Sequence, residues 1–94
     1  MTTWTLTIEQ LGSHGSIHGQ ARGHQEATAA LVDAVRGHIL DAVVPAKYAL
    51  DIDGEAVALL VCVDDGRGRP DMAATLELLE RINLAENLRT VTVD

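Results

Sequence analysis

Eight consecutive apolar residues, Ala56-Val57-Ala58-Leu59-Leu60-Val61-Cys62-Val63, stand between Gly54-Glu55 and Asp64-Asp65-Gly66. The run is too short to cross a bilayer and too rich in valine for its length to favour a helix, so it predicts the most buried strand of a sheet. The residues before it sharpen that reading. Lys47-Tyr48-Ala49-Leu50-Asp51-Ile52 alternates, with Tyr48, Leu50 and Ile52 on one face, and Asp53-Gly54 separates the two runs. Asp-Gly between two strand-like runs signals a two-residue type I′ turn, because both central positions need positive φ. Such a turn sets Leu50 opposite Val57 and Tyr48 opposite Leu59, and places Val57, Leu59, Val61 and Val63 on the inward face.

The rest of the chain supplies partners for this hairpin. Thr3-Trp4-Thr5-Leu6-Thr7-Ile8-Glu9 alternates, with Trp4, Leu6 and Ile8 inward, and predicts a half-buried first strand. Residues 10–23 hold four of the eight glycines and little apolar content. A structureless loop of that length is unusual in a compact domain, and Ser16 to Arg22 offers an extra strand folded back on the first as a hairpin. From His24 to about Val43 the period is helical: Ala27, Leu31, Ala34, Val35, His38 and Ala42 share one arc, and Pro45 stops the helix. Pro70-Asp71 opens a second helix that Asp71 caps, with Thr75, Leu78, Leu79, Ile82 and Ala85 on its apolar face, fading near Glu86-Asn87. Arg89-Thr90-Val91-Thr92-Val93 alternates as a last strand. No repeat, linker or low-complexity tail is evident.

The order β-α-β-β-α-β over residues 1–94, taken as one α+β domain, resembles the ferredoxin-like split βαβ arrangement: a four-stranded antiparallel sheet with two helices on one face. In that topology the run 56–63 is an inner strand. A strand at residues 16–22 would make the sheet five-stranded. The fold hosts many functions and implies none by itself.

Composition excludes more than it identifies. Fourteen acids against seven bases give a formal charge of −7, and Lys47 is the sole lysine. A phosphate-tracking surface needs clustered Lys and Arg, and single-strand binding also needs aromatic platforms, so direct nucleic-acid binding is disfavoured. The same acidity argues against an anionic membrane surface, and Met1-Thr2-Thr3-Trp4-Thr5 has neither the basic nor the apolar region of a signal peptide. The expectation is a soluble, cytoplasmic protein. Cys62 stands alone inside an apolar run, which suits a small core or interface residue better than a nucleophile.

Few residues suggest chemistry. His14, His18 and His24 crowd one stretch, but Gly12, Gly15 and Gly19 oppose the helix that would align them as metal ligands, and no acid or cysteine completes a first shell. No metal and no cofactor are therefore expected. His38, on the apolar arc of the first helix near its C-terminal end, reads as a partly buried residue favoured by the helix dipole. Gly15-Ser16-Ile17-His18-Gly19-Gln20-Ala21-Arg22, after a first strand and before a helix, resembles the anion-cradling loop of acylphosphatases. That family, however, starts its first helix with the arginine and carries an asparagine on the second strand, where this chain has Asp51. Asp64-Asp65-Gly66-Arg67-Gly68-Arg69 lacks the alternating acids and closing glutamate of a calcium loop and reads as a solvated turn with compensating charges. No convergent nucleophile and base can be nominated, so the reading leans away from an enzyme.

A surface is more informative than any motif. With the inward set above, the opposite sheet face carries Thr3, Thr5, Thr7, Ala49, Ala58, Leu60, Cys62, Thr90 and Thr92, with a stripe of Ala58, Leu60 and Cys62 along its middle. An uncovered sheet face normally carries charge, and a contiguous apolar patch marks a contact site. The expectation is a small acidic interaction or assembly module, homodimeric through this face or packed on another protein. The alternative is an anion-binding regulatory domain in which His18, Arg22 and His24, from the glycine- and histidine-rich loop 12–24, meet a ligand at the N-terminus of the first helix.

Overall fold

A computed structural model describes residues 1–10, 12–42 and 44–92, with residues 88–92 described by their backbone alone. Strands β1 (Thr2–Gln10) and β2 (Ser13–Ala21) form a first hairpin, and helix α1 (His24–Asp41) follows. Strands β3 (Lys47–Ile52) and β4 (Glu55–Val61) form a second hairpin, and helix α2 (Met72–Thr92) comes last. The sheet runs β2-β1-β3-β4 and is antiparallel throughout. Both helices pack on one face of it, around a core that includes Leu6, Ile8, Tyr48, Leu50, Ile52 and Leu60 from the sheet and Leu31, Val35, Ile39 and Leu79 from the helices.

The expected class is the one the chain adopts: an α+β fold with four antiparallel strands and two helices on one face. Helix α1 joins two parallel strands, β2 and β3, with β1 between them, so a split βαβ unit is present as in ferredoxin-like folds. The path through the remaining elements differs from the one read in the sequence.

The glycine-rich segment is the first difference. Ser13–Ala21 is a strand, paired with β1 from Thr2↔Ala21 to Gln10↔Ser13, and the strand anticipated at Ser16–Arg22 is most of it. Its alternation is muted because Gly15 and Gly19 occupy positions on the core side where a valine would ordinarily reveal the period. The C-terminal segment is the second difference. The strand expected over Arg89–Val93 does not form: residues 89–92 continue α2, and Val93 lies outside the described residues. Both edges of β1 are already occupied, by β2 and β3, so no position beside the first strand is left. No Gly or Pro interrupts the chain between Asp71 and Val93 to stop the helix.

The second hairpin carries the most consequential departure. Asp53 (φ 52°) and Gly54 (φ 81°) form the anticipated turn with both residues at positive φ, and Ile52 pairs with Glu55. The register then slips by one residue between Leu50 and Asp51: Asp51 faces Ala56, Leu50 faces Ala58 and Tyr48 faces Leu60. Val57 is the extra residue of a β-bulge. Side chains on a strand alternate, so a slip of one residue exchanges the two faces of everything beyond it. Leu60 (2% exposed) and Cys62 (6%) point into the core, while Leu59 (66%) and Val61 (51%) point out. The strand is also an edge strand, β3 being the inner one, so the apolar run is not the most enclosed strand of the sheet.

The order β2-β1-β3-β4 is symmetric about its central β1–β3 pair, and each half of the chain runs ββα. Trp4, Leu6 and Ile8 in β1 match Tyr48, Leu50 and Ile52 in β3 in spacing and orientation, and Leu6 pairs directly with Leu50 at the centre. The helices also correspond: Thr28 and Thr75 each return a hydroxyl to the carbonyl four residues earlier, to His24 at 2.9 Å and Asp71 at 2.7 Å. An internal repeat is thus present where the bare sequence shows none, because only the alternating core positions are shared.

The helix boundaries follow from local chemistry. α1 begins after extended Gly23 and ends at Ala42, whose ψ of 134° leads the chain out before Pro45. Its buried residues, Ala27, Thr28, Leu31, Val32, Val35 and Ile39, are rotated slightly from the arc expected, so Ala34 is only partly covered. α2 is capped as anticipated: Asp71 Oδ1 accepts the Ala74 N–H at 3.1 Å. Two pairs tie the helices together. His24 Nε2 meets Glu86 Oε2 at 3.1 Å, and Arg36 bridges Asp33 and Glu80.

Candidate interaction surface

The alternation of β1 builds the surface opposite the helices. Leu6 and Ile8 are buried, so Thr3, Thr5, Thr7 and Glu9 point the other way, and the register assigns Thr5, Thr7 and Glu9 a neighbour on either side. One row crosses the sheet as His14, Glu9, Lys47 and Val61; the next as Ser16, Thr7, Ala49 and Leu59; the third as His18, Thr5, Asp51 and Ala56. Charge is sparse, with Asp51 beside Thr5 on the inner strand β3. Glu9 and Lys47 stand directly opposite each other, and the centre of the face is Thr5, Thr7 and Ala49. Towards β4 it becomes apolar, ending in the exposed Leu59 and Val61.

Of the expected interface residues, Thr5, Thr7 and Ala49 lie on this face. Ala58, Leu60 and Cys62 do not: the bulge turns all three to the helix side, where Leu60 and Cys62 belong to the core and Ala58 packs against it. Thr90 and Thr92 are helical rather than part of a strand, and their side chains lie outside the described residues. Leu59 and Val61 are the residues that sequence reasoning missed. No local signal marks the bulge, since neither Gly nor Pro interrupts the run, and an ideal alternation assigns both side chains to the core.

The expected ligand residues are not brought together. His18 sits on β2 opposite Thr5, on the face away from the helices. His24 is the first residue of α1 and is held by Glu86, and Arg22 lies in the short connection between them. The loop that resembles an acylphosphatase cradle is a paired strand, so its backbone N–H groups serve the sheet or its edge instead of a closed nest. Among the described residues no group of three His, Cys, Asp or Glu side chains is placed to hold a metal ion. No described helix is long and apolar enough to cross a membrane.

Polar groups inside the core are structural. Thr75 is fully buried, and its hydroxyl accepts the Val63 N–H at 3.0 Å and stands 3.5 Å from Cys62 Sγ. Cys62 is therefore enclosed between β4 and α2, without the open electropositive setting of a reactive thiol. The ring of His38 meets Tyr48 edge-on, its Nδ1 3.5 Å from the hydroxyl, as expected of a partly buried histidine near a helix end. Burial pushes the Tyr48 phenol above its ordinary value, and nearby Cys62 adds to the effect. The loop after β4 is ordered by its acids. Asp64 Oδ1 accepts the N–H groups of Gly66 and Gly68, and Asp65 Oδ1 those of Arg67 and Arg69. Those carboxylates build turns in place of the charge compensation with Arg67 and Arg69 that the sequence suggests.

Concavities are shallow. A recess of about 210 Å³ lies beside Glu9, Lys47 and Cys62, and another of about 310 Å³ runs between β2 and His38. The largest of the three, about 480 Å³, is a mostly apolar groove along β4 and α2, lined by Leu59, Leu60, Val61, Leu78, Arg81, Ile82 and Ala85. None encloses converging polar groups of the kind that fix a small ligand. No protein-family model matches the chain, and no curated protein or solved structure matches it either.

Proposed function

We propose that this chain is a small acidic, cytoplasmic interaction module without catalytic activity, which assembles with a second copy of itself through its sheet surface. The observation that carries the reading is the uncovered face of the sheet, whose neutral centre at Thr5, Thr7 and Ala49 runs into Leu59 and Val61, two large side chains more than half exposed. The buried placement of Cys62, the separation of His18 from His24 and the shallow recesses all fit a role in contact rather than chemistry. The remaining charge, a net −7, keeps such an assembly in solution. Solution mass by sedimentation equilibrium tests it. The wild type should be dimeric and Leu59→Glu should be a folded monomer. A monomeric wild type across the accessible concentration range would overturn the reading.

A further inference from the structure

The two edges of the sheet are unlike. β2 presents His14, Ser16, His18 and Gln20, with Gly15 and Gly19 between them, a polar and glycine-broken edge of the kind that resists pairing with another strand. Beyond Glu55, β4 has neither polar side chains nor glycines along its length, and its one irregularity, the bulge at Val57, leaves Ala58 to Val61 in regular pairing with β3. From Ala56 to Val61 it carries no charge, no proline and no glycine, and Leu59 and Val61 stand exposed along it. Beside it α2 forms the other wall of the apolar groove, with Leu78, Ile82 and Ala85 facing the strand. A free strand edge next to an apolar groove is the geometry that accepts an added strand: main-chain hydrogen bonds fix the visitor, and alternate side chains enter the groove.

Resting on the reading of a self-associating module, but placing the contact at the β4 border of the sheet instead of across the centre of its face, we propose that the occupant is β4 of a second copy, added antiparallel across a twofold axis to give one continuous eight-stranded sheet. Charge argues for that visitor. The groove and edge are uncharged apart from Arg81, which is already bonded to Glu77, so they suit a neutral apolar strand, and Ala56–Val63 is the longest such run in the chain. Antiparallel addition with β4 in register over Glu55–Val61 also brings Glu55, at one end of each β4, to the end of the other where Lys47 pairs with Val61. The chain already joins its own two halves in this manner, through antiparallel β1 and β3 with Leu6 opposite Leu50. Because β2 is protected, the addition closes at two copies and does not propagate into a filament.

Edge addition and stacking of two sheet faces are separated by where a lysine is tolerated. Thr7 lies at the centre of the outer face on an inner strand, and Val61 lies on the β4 edge. Sedimentation equilibrium of the wild type, Thr7→Lys and Val61→Lys, with circular dichroism to confirm folding, reads the difference. The expected result is a dimeric wild type, a dimeric Thr7→Lys, and a Val61→Lys whose dimer dissociation constant rises by roughly tenfold or more, since each edge would then carry a lysine beside the added strand and next to Lys47, the kind of charge that keeps exposed edges from pairing. Hydrogen exchange should show amides of β4 more protected in the dimer. A dimer lost in Thr7→Lys, whatever the effect of Val61→Lys, would overturn edge addition while leaving self-association through the face intact. A wild type that stays monomeric would overturn both.

Discussion

Trp4 lies against Gly19 on the neighbouring strand so closely that a Cβ at Gly19 would stand 2.6 Å from Trp4 Cζ2. The two are directly paired across β1 and β2, and the indole occupies the space that any side chain at position 19 would need. The glycine that hides β2 from a reading of the sequence is thus the residue that lets the one tryptophan cover that end of the sheet. Gly19→Ala should therefore destabilise the fold by about 1–3 kcal/mol through displacement of the indole. Gly15→Ala, with nothing within 4 Å of its Cβ, should be nearly neutral. Chemical denaturation of the two variants, followed by tryptophan fluorescence, checks the contrast.

The bulge in β4 makes neighbouring leucines opposite in kind. Leu60 is in the core and Leu59 is in solvent, so Leu60→Ala should cost about 2–5 kcal/mol. Leu59→Ala should change the stability of the isolated chain by no more than about 0.5 kcal/mol. Urea melts at a concentration low enough to hold the protein monomeric give both values. An uninterrupted register would reverse the order.

Thr75 joins the end of β4 to the start of α2 through its hydroxyl. Thr75→Val keeps the volume but leaves the Val63 N–H, now bonded at 3.0 Å, without its acceptor, and should cost about 1–3 kcal/mol. Thr75→Ser, which keeps the hydroxyl and loses a methyl group, should cost about 1 kcal/mol. Thermal unfolding of the pair separates the hydrogen bond from packing.

Tyr48 is the single tyrosine of the chain, so its ionisation can be followed directly by absorbance. Its folded pKa is raised by burial, so the native state holds the phenolic proton after the unfolded chain has released it. The stability tied to that proton is complete below the unfolded tyrosine value of about 10 and falls as the pH climbs from there towards the folded value. The melting temperature should drop above about pH 10. In Tyr48→Phe, which gives up only the long contact to His38, the drop should be shallower while the melting temperature near neutrality stays close to that of the wild type.

Much of the architecture is written locally. Asp53-Gly54 specifies the turn, Asp71 caps α2, Pro45 ends the path out of α1, and the alternation around Leu6 and Ile8 and around Leu50 and Ile52 defines the two inner strands. These follow from φ preferences, a carboxylate's reach and the two-residue period, which depend on near neighbours alone. The tertiary structure decided the rest. Whether Ser13–Ala21 is a loop or a strand depends on Trp4 lying over Gly19, and whether residues 89–92 form strand or helix depends on β2 already holding the place beside β1. Whether Leu59 or Leu60 faces the core depends on one extra residue at Val57. Each is settled by competition for a position beside another element, a quantity that no stretch of chain carries by itself. The exposed edge at Leu59 and Val61 comes from the last of these, because a slip of one residue costs little in backbone pairing yet exchanges an entire face.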